Sequence, residues 1–135
     1  NIPKSNVELF IHGPTRHEEL ICKLKNCHIG LALENNFPEN KNTTISNKIL
    51  QYMQADLKVI ATNTRGHAEV AHNANGLVIL IPVNDPTTLA HEIDVNANLI
   101  SDSVSNINRA FNTIYSFESQ EERLADLVAH ALIQK

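Results

Sequence analysis

Short apolar runs rich in β-branched residues alternate along the chain with stretches of helical character, and this alternation restricts the fold more than any other feature. The runs span residues 7–11, 29–33, 59–62 and 77–81 and are bounded by Gly, Pro or Asn, as buried parallel strands are. Helical stretches follow at 18–25, 46–55, 67–73 and 87–98, with Asp85 and Pro86 as the cap and first-turn pair of the last. The order implies right-handed βαβ units: an α/β fold with an open parallel sheet, Rossmann-like, and helices on both faces. Two further helices are expected at about 102–115 and 120–133, the second opened by the capping-box spacing of Ser119 and Glu122. Leu124, Leu127, Val128, Ala131 and Leu132 then form one apolar stripe suited to the sheet or to a neighbouring domain. Residues 35–42, polar around Pro38, read as a mobile loop.

At 135 residues the chain makes one domain, large enough for a self-sufficient core. No apolar run approaches membrane-spanning length and no secretory signal is visible, so a cytoplasmic location is expected. A formal charge of -4 with scattered Lys and Arg argues against a nucleic-acid surface, where basic residues cluster. A local phosphate site remains open.

The seven histidines and two cysteines lack metal-ligand spacing. His17 is followed four positions later by Ile21, and His67 and His72 are five apart, off a shared helix face. Cys22 and Cys27 have no second pair and read as free thiols in a reducing compartment. Neither a metal nor a cofactor is expected.

Ligands of open α/β sheets collect outside the carboxyl ends of the strands, where helix N-termini point unpaired N–H groups outward. The segment from Thr44 to Val70 supplies such a place: a polar helix start, a buried strand and a glycine turn. Ser46 is a good N-cap, and Asn47 and Lys48 follow in the first turn, so phosphate oxygens would meet backbone N–H groups and one ammonium. Gln51 lies one turn on. The ordinary reading of these residues is a capped surface helix with a solvated lysine. Gly66 is expected to serve a turn of positive φ, and Asp56 ends its helix as one of the few residues that tolerate the left-handed conformation. Glu69 reads equally as a first-turn acid favoured by the helix dipole.

The residues HIGLALE (28–34), TISNKILQYMQADLKVIATNTRGHAEV (44–70) and GLVILIPVNDPTTLAHEI (76–93) together resemble the C-terminal, nucleotide-sugar-binding domain of GT-B glycosyltransferases, in particular the large retaining group. The resemblance covers about residues 7–128. It implies binding of a nucleotide diphosphate sugar such as a UDP or GDP sugar, transfer of its sugar to an acceptor, and a partner N-terminal domain that brings the acceptor. Relatives commonly carry two glutamates eight positions apart, the first near the donor sugar and phosphates, the second on the ribose. Here Thr43 and Gln51 hold those positions, so both acids are missing, while Glu34 is the nearest remaining acid. The resemblance moves Ser46, Asn47 and Lys48 from surface helix to diphosphate contact, gives the ribose to Gln51, and adds Thr44 and the glycine turn at Gly66 to the donor site. No catalytic residue is assigned.

The family domain has a strand and helix before this point and a longer passage after a strand like VELFIHG. The chain therefore reads as a fragment or shortened form, lacking the N-terminal domain and the first strand-helix unit. The main rival is a degenerate α/β domain with an interaction or structural role and no donor, favoured by the loss of both glutamates. A dinucleotide-binding domain is disfavoured, because there are only four glycines and no Gly-rich first turn.

Overall fold

A computed structural model describes residues 8–98 and 106–133. Three parallel strands, β1 (Ile29–Ala32), β2 (Lys58–Thr62) and β3 (Val78–Ile81), form a sheet in the order β1-β2-β3. The helices are α1 (His17–Leu24), α2 (Glu39–Thr43), α3 (Asn47–Gln54), α4 (Arg65–Asn73), α5 (Pro86–Asn98), α6 (Ile107–Ile114) and α7 (Phe117–Ile133). This is the open parallel α/β arrangement that the alternating runs imply.

Strand alternation divides the apolar residues between the faces of the sheet. Val59 and Ala61 of β2, with Ala32 and Val78 beside them, meet Ile49 and Met53 of α3, Val70 and Ala71 of α4 and Ile107 of α6 in one buried cluster. Ile49 and Met53 are four apart and so present one helix face, and neither is exposed to solvent. Tyr52, beside them, lies over Gly30, where an added Cβ would collide with the tyrosine ring. The glycine in β1 therefore serves close packing of α3 on the strand. Helix α5 packs on β1 and β2.

Asp56 takes the left-handed conformation at φ 62°, as its place at a helix end requires. Its carboxylate also accepts the Asn108 N–H at 3.1 Å, while Asn108 Nδ2 donates to Gln54 O at 2.6 Å. The end of α3 is thereby stitched to the start of α6. Asp85 caps α5 as its sequence position implies: it accepts Thr88 N–H at 3.0 Å and the Thr88 hydroxyl at 2.6 Å.

Several expectations need correction. Residues 8–11 are not a strand, and Leu9, Phe10 and Ile11 stand exposed; Val7 lies outside the described residues. The run has strand propensity, but propensity yields a strand only where neighbours accept its backbone bonds, and the described sheet pairs β1, β2 and β3 without it. The expected loop at 35–42 contains the start of α2, which begins after Pro38. It is held by Arg65, whose guanidinium pairs with Glu39 at 3.3 Å and whose N–H donates to Asn42 Oδ1 at 3.2 Å. Helix α4 starts at Arg65 rather than His67, because the Thr64 side chain accepts the His67 N–H and so caps an earlier turn. Gly66 consequently sits inside a helix, without positive φ.

Helix α7 likewise begins three residues before the expected Gln120. Ser116, not Ser119, supplies the cap, its hydroxyl accepting the Ser119 N–H at 3.2 Å. Of the helix expected at 102–115, the part at 102–105 lies outside the described residues. The α7 stripe is not packed on the sheet: Leu124, Leu127, Val128 and Leu132 are all exposed, and α7 buries no residue.

Candidate functional site

The three strands end on one rim, and the site is built from the segments that leave those ends. After β1 come Leu33 and Glu34, whose backbone is fixed by the Thr62 hydroxyl at the end of β2. That hydroxyl accepts the Glu34 N–H at 2.9 Å and donates to Glu34 O at 2.7 Å. The same link ties two neighbouring strand ends together, which leaves the Glu34 side chain free to point along the rim. Its carboxylate meets Lys48 Nζ at 2.6 Å. The ammonium holds the Glu34 carboxyl below its ordinary range, against the opposing effect of burial.

Two hollows adjoin at Glu34. One, of about 200 Å³, runs from Leu33, Glu34 and Asn35 across Thr62 to Asn84, Asp85 and the start of α5. The other, of about 240 Å³, is lined by Glu34, Asn40, Lys41, Thr44 and Ser46 and opens beside the start of α3. The first is lined largely by apolar residues, Leu33, Ile81, Pro82, Pro86 and Leu89, with Asn35, Asn84, Asp85, Glu34 and Thr62 supplying polar groups that suit hydroxyls. The second carries a lysine on its wall and has Lys48 at its edge through Glu34, which suits an anion.

Ser46 occupies the N-cap position of α3, but its side chain makes no cap bond. Its Oγ instead lies 3.1 Å from His67 Nε2, and His67 Nδ1 lies 2.9 Å from Thr62 O. His67 is fully buried. Gly66 beside it passes so close to the Thr44 carbonyl that an added Cβ would overlap the oxygen and stand 2.9 Å from Ile45 N. The start of α4 and the approach to α3 are therefore fitted to each other at backbone distance.

Of the residues singled out from sequence, Glu34, Thr44 and Ser46 share one hollow, Lys48 joins it through its ion pair, and Gly66 backs Thr44. Asn47 is the exposed first residue of α3. Thr43 turns back on its own helix, donating to the carbonyls of Glu39 and Asn40, and lines neither hollow. Gln51 is half-buried one turn along α3 and also lines neither hollow. Arg65 is committed to Glu39, and Glu69 lies in the second turn of α4, away from both hollows. His67, Asn35, Asn84 and the Asp85 end of α5 were not assigned to a site from sequence. The role of His67 rests on a bond across 21 residues, for which local sequence carries no signal.

Among the described residues no group of three His, Cys, Asp or Glu side chains is placed to hold a metal ion, and Cys22 and Cys27 are free and exposed. No described helix is long and apolar enough to cross a membrane. Residues 4–97 match the family model described as glycosyl transferases group 1. No curated protein and no solved structure matches the chain. The matched stretch contains both hollows and ends before α6.

Proposed function

The chain belongs to the group 1 glycosyl transferases, and on that premise we propose that it is the donor-binding part of a retaining GT-B enzyme. It takes a nucleotide diphosphate sugar, a UDP or GDP sugar, at the carboxyl rim of its sheet, and works with an N-terminal domain that carries the acceptor. The observation that carries the reading is the convergence at Glu34 of an anion-suited hollow and a hydroxyl-suited one, on the rim where open α/β sheets bind ligands.

Cleaving a sugar–phosphate bond demands stabilisation of the negative charge gathering on the departing diphosphate. Backbone N–H groups of the first turn of α3 and the Lys48 ammonium provide that without a metal. Asn47 and Thr44 flank the diphosphate, Gly66 keeps the Thr44 backbone in place, and Gln51, which lines neither hollow, takes the ribose through neutral hydrogen bonds on the strength of its place in the family resemblance alone. Glu34 holds Lys48 until the donor arrives. Thr43 keeps no donor role in this arrangement, since both its bonds are internal to α2. The product of such an enzyme is a glycoside or a growing polysaccharide, made in the cytoplasm or at the membrane surface through the second domain.

Loss of the two family glutamates supports a second reading, a degenerate domain kept for interaction, and the wholly exposed face of α7 agrees with it. Calorimetric titration with UDP, GDP and their sugars separates the two. Saturable binding that Lys48→Ala weakens supports the donor site. Absence of any binding at millimolar nucleotide, with Lys48→Ala indistinguishable from the parent, supports the interaction reading.

A further inference from the structure

We propose that His67 is a positioning residue that turns the Ser46 hydroxyl into a hydrogen-bond acceptor for a hydroxyl group of the donor. The inference rests on the donor reading of the hollow between Glu34 and Ser46, and it differs from the sequence expectation, which gave Ser46 to the diphosphate. A carbonyl oxygen only accepts, so the proton on the ring side facing Thr62 O belongs to His67 Nδ1. In the neutral ring Nε2 then offers a lone pair, and the Ser46 hydroxyl, 3.1 Å away, donates to it.

A serine hydroxyl has a single proton. With that proton committed to His67, Ser46 presents lone pairs alone to the hollow whose wall it shares with Asn40, Lys41 and Thr44. Such an oxygen pairs with a ribose or hexose hydroxyl and repels a phosphate oxygen, which also only accepts. The diphosphate is left to Lys48 and the backbone.

The arrangement has structural support at both ends. His67 is fully buried and both its ring nitrogens have partners, so the imidazole is held in one orientation. Ser46 stands where a serine ordinarily caps a helix and forgoes that bond in favour of the histidine. The two ends are fixed to different elements, Ser46 to α3 and His67 to α4. Neither hydroxyl direction nor ring orientation is therefore a local accident of one turn.

The test is a titration of the chain with UDP-glucose and GDP-mannose, which carry ribose and hexose hydroxyls, and with inorganic pyrophosphate, which carries none. Ser46→Ala removes the acceptor. His67→Asn keeps a donor for Thr62 O but is too short to reach Ser46, whereas His67→Gln places an acceptor where Nε2 stood. Ser46→Ala and His67→Asn are expected each to weaken the better-bound nucleotide sugar by about three- to tenfold. The double variant should be no weaker than either single one, His67→Gln should recover most of the affinity, and pyrophosphate binding should not change. Additive losses, an equal loss for pyrophosphate, or full affinity in His67→Asn would overturn the assignment. Thermal unfolding run in parallel identifies a His67 variant that fails to fold; Ser46→Ala, outside the core, then decides by whether its loss is confined to the nucleotide sugars. A parent chain that binds neither nucleotide sugar nor pyrophosphate overturns the donor reading itself, a result distinct from each of the others.

Discussion

Replacing Glu34 by Gln tests the electrostatic core of the site, because it removes one charge and little volume. The carboxylate and Lys48 Nζ are 2.6 Å apart, with the two side chains 21% and 56% exposed, so the pair is screened by solvent on the lysine side. Pairs of that exposure contribute about 0.5–1 kcal/mol, far less than their distance alone suggests. A diphosphate that recruits Lys48 first has to break this pair. Relieving that cost is expected to raise affinity for UDP and for pyrophosphate by about two- to fivefold at pH 7, with a smaller gain in high salt. The sign with pH comes from the same contact. Since Lys48 holds the Glu34 carboxyl below its ordinary range, the pair stabilises the fold above the unfolded-state value and loses that contribution as pH falls through the folded one. Glu34→Gln should therefore be slightly less stable at neutral pH and indistinguishable from the parent in acid. Calorimetry and urea unfolding at two pH values measure both effects. Weaker nucleotide binding in the variant would show that Glu34 itself grips the donor, and unchanged binding would remove Lys48 from the phosphate.

Gly66→Ala must push the new Cβ into the Thr44 carbonyl, a backbone atom that cannot swing away, and should cost about 1–3 kcal/mol in urea unfolding. Retention of full stability would mean that the start of α4 and the approach to α3 are less tightly fitted than their spacing implies. Met53→Ala empties the centre of the cluster between α3 and the sheet and should cost about 2–5 kcal/mol, the range for large-to-small changes at buried sites; a loss under about 1 kcal/mol would contradict that burial. Asp85→Ala removes both bonds to Thr88 and should lower the melting temperature at neutral pH. Those bonds hold the Asp85 carboxyl below its ordinary range, so the difference between variant and parent should vanish as pH falls through the folded value; a difference that persists in acid would assign the effect elsewhere.

What could be read from the chain, and what could not, divides by the range of the interactions involved. Strand runs at 29–33, 59–62 and 77–81 are nearly continuous apolar stretches, and each forms within a residue of its expected bounds, with β2 at the centre of the sheet and β1 and β3 paired to it in parallel. The left-handed Asp56 and the Asp85 cap were also legible, since each depends on neighbours a few positions away. The run at 8–11 shows the limit: its composition is that of a strand, but strand formation needs a partner that composition does not supply. Helix starts at Arg65 and Phe117 lie earlier than expected because Thr64 and Ser116 accept the N–H three residues on, at His67 and Ser119, and so cap an earlier turn. At the site, Glu34, Thr44 and Ser46, which the sequence singles out, line one hollow, and Lys48 is tied to it by its ion pair with Glu34. That Lys48 is paired and that Ser46 faces His67 depend on separations of 14 and 21 residues.

On the proposed donor reading, the departures at Thr43 and Gln51 and the pair at Glu34 act on the same quantity, the charge that a diphosphate would meet on approach. Two carboxylates at the family positions would oppose the phosphates while fixing the sugar and ribose by charge-assisted bonds. Without them, the acid that lines both hollows is Glu34, and its charge is already offset by Lys48. On the donor reading proposed above, the rim then repels an anionic ligand less and orients its diols less firmly, since Gln51 and an acceptor at Ser46 would form neutral bonds that are roughly half as strong as charged ones. Selectivity among donors then shifts from the sugar and ribose toward the diphosphate. Nucleotides that differ only in a hydroxyl should be distinguished weakly by this chain, by about threefold or less per hydroxyl beyond the one at Ser46, whereas removal of one phosphate should cost more than any hydroxyl. Titration with UDP, UMP and 2′-deoxy-UDP ranks these losses directly, and a 2′-deoxy penalty exceeding that for the missing phosphate would reverse the argument.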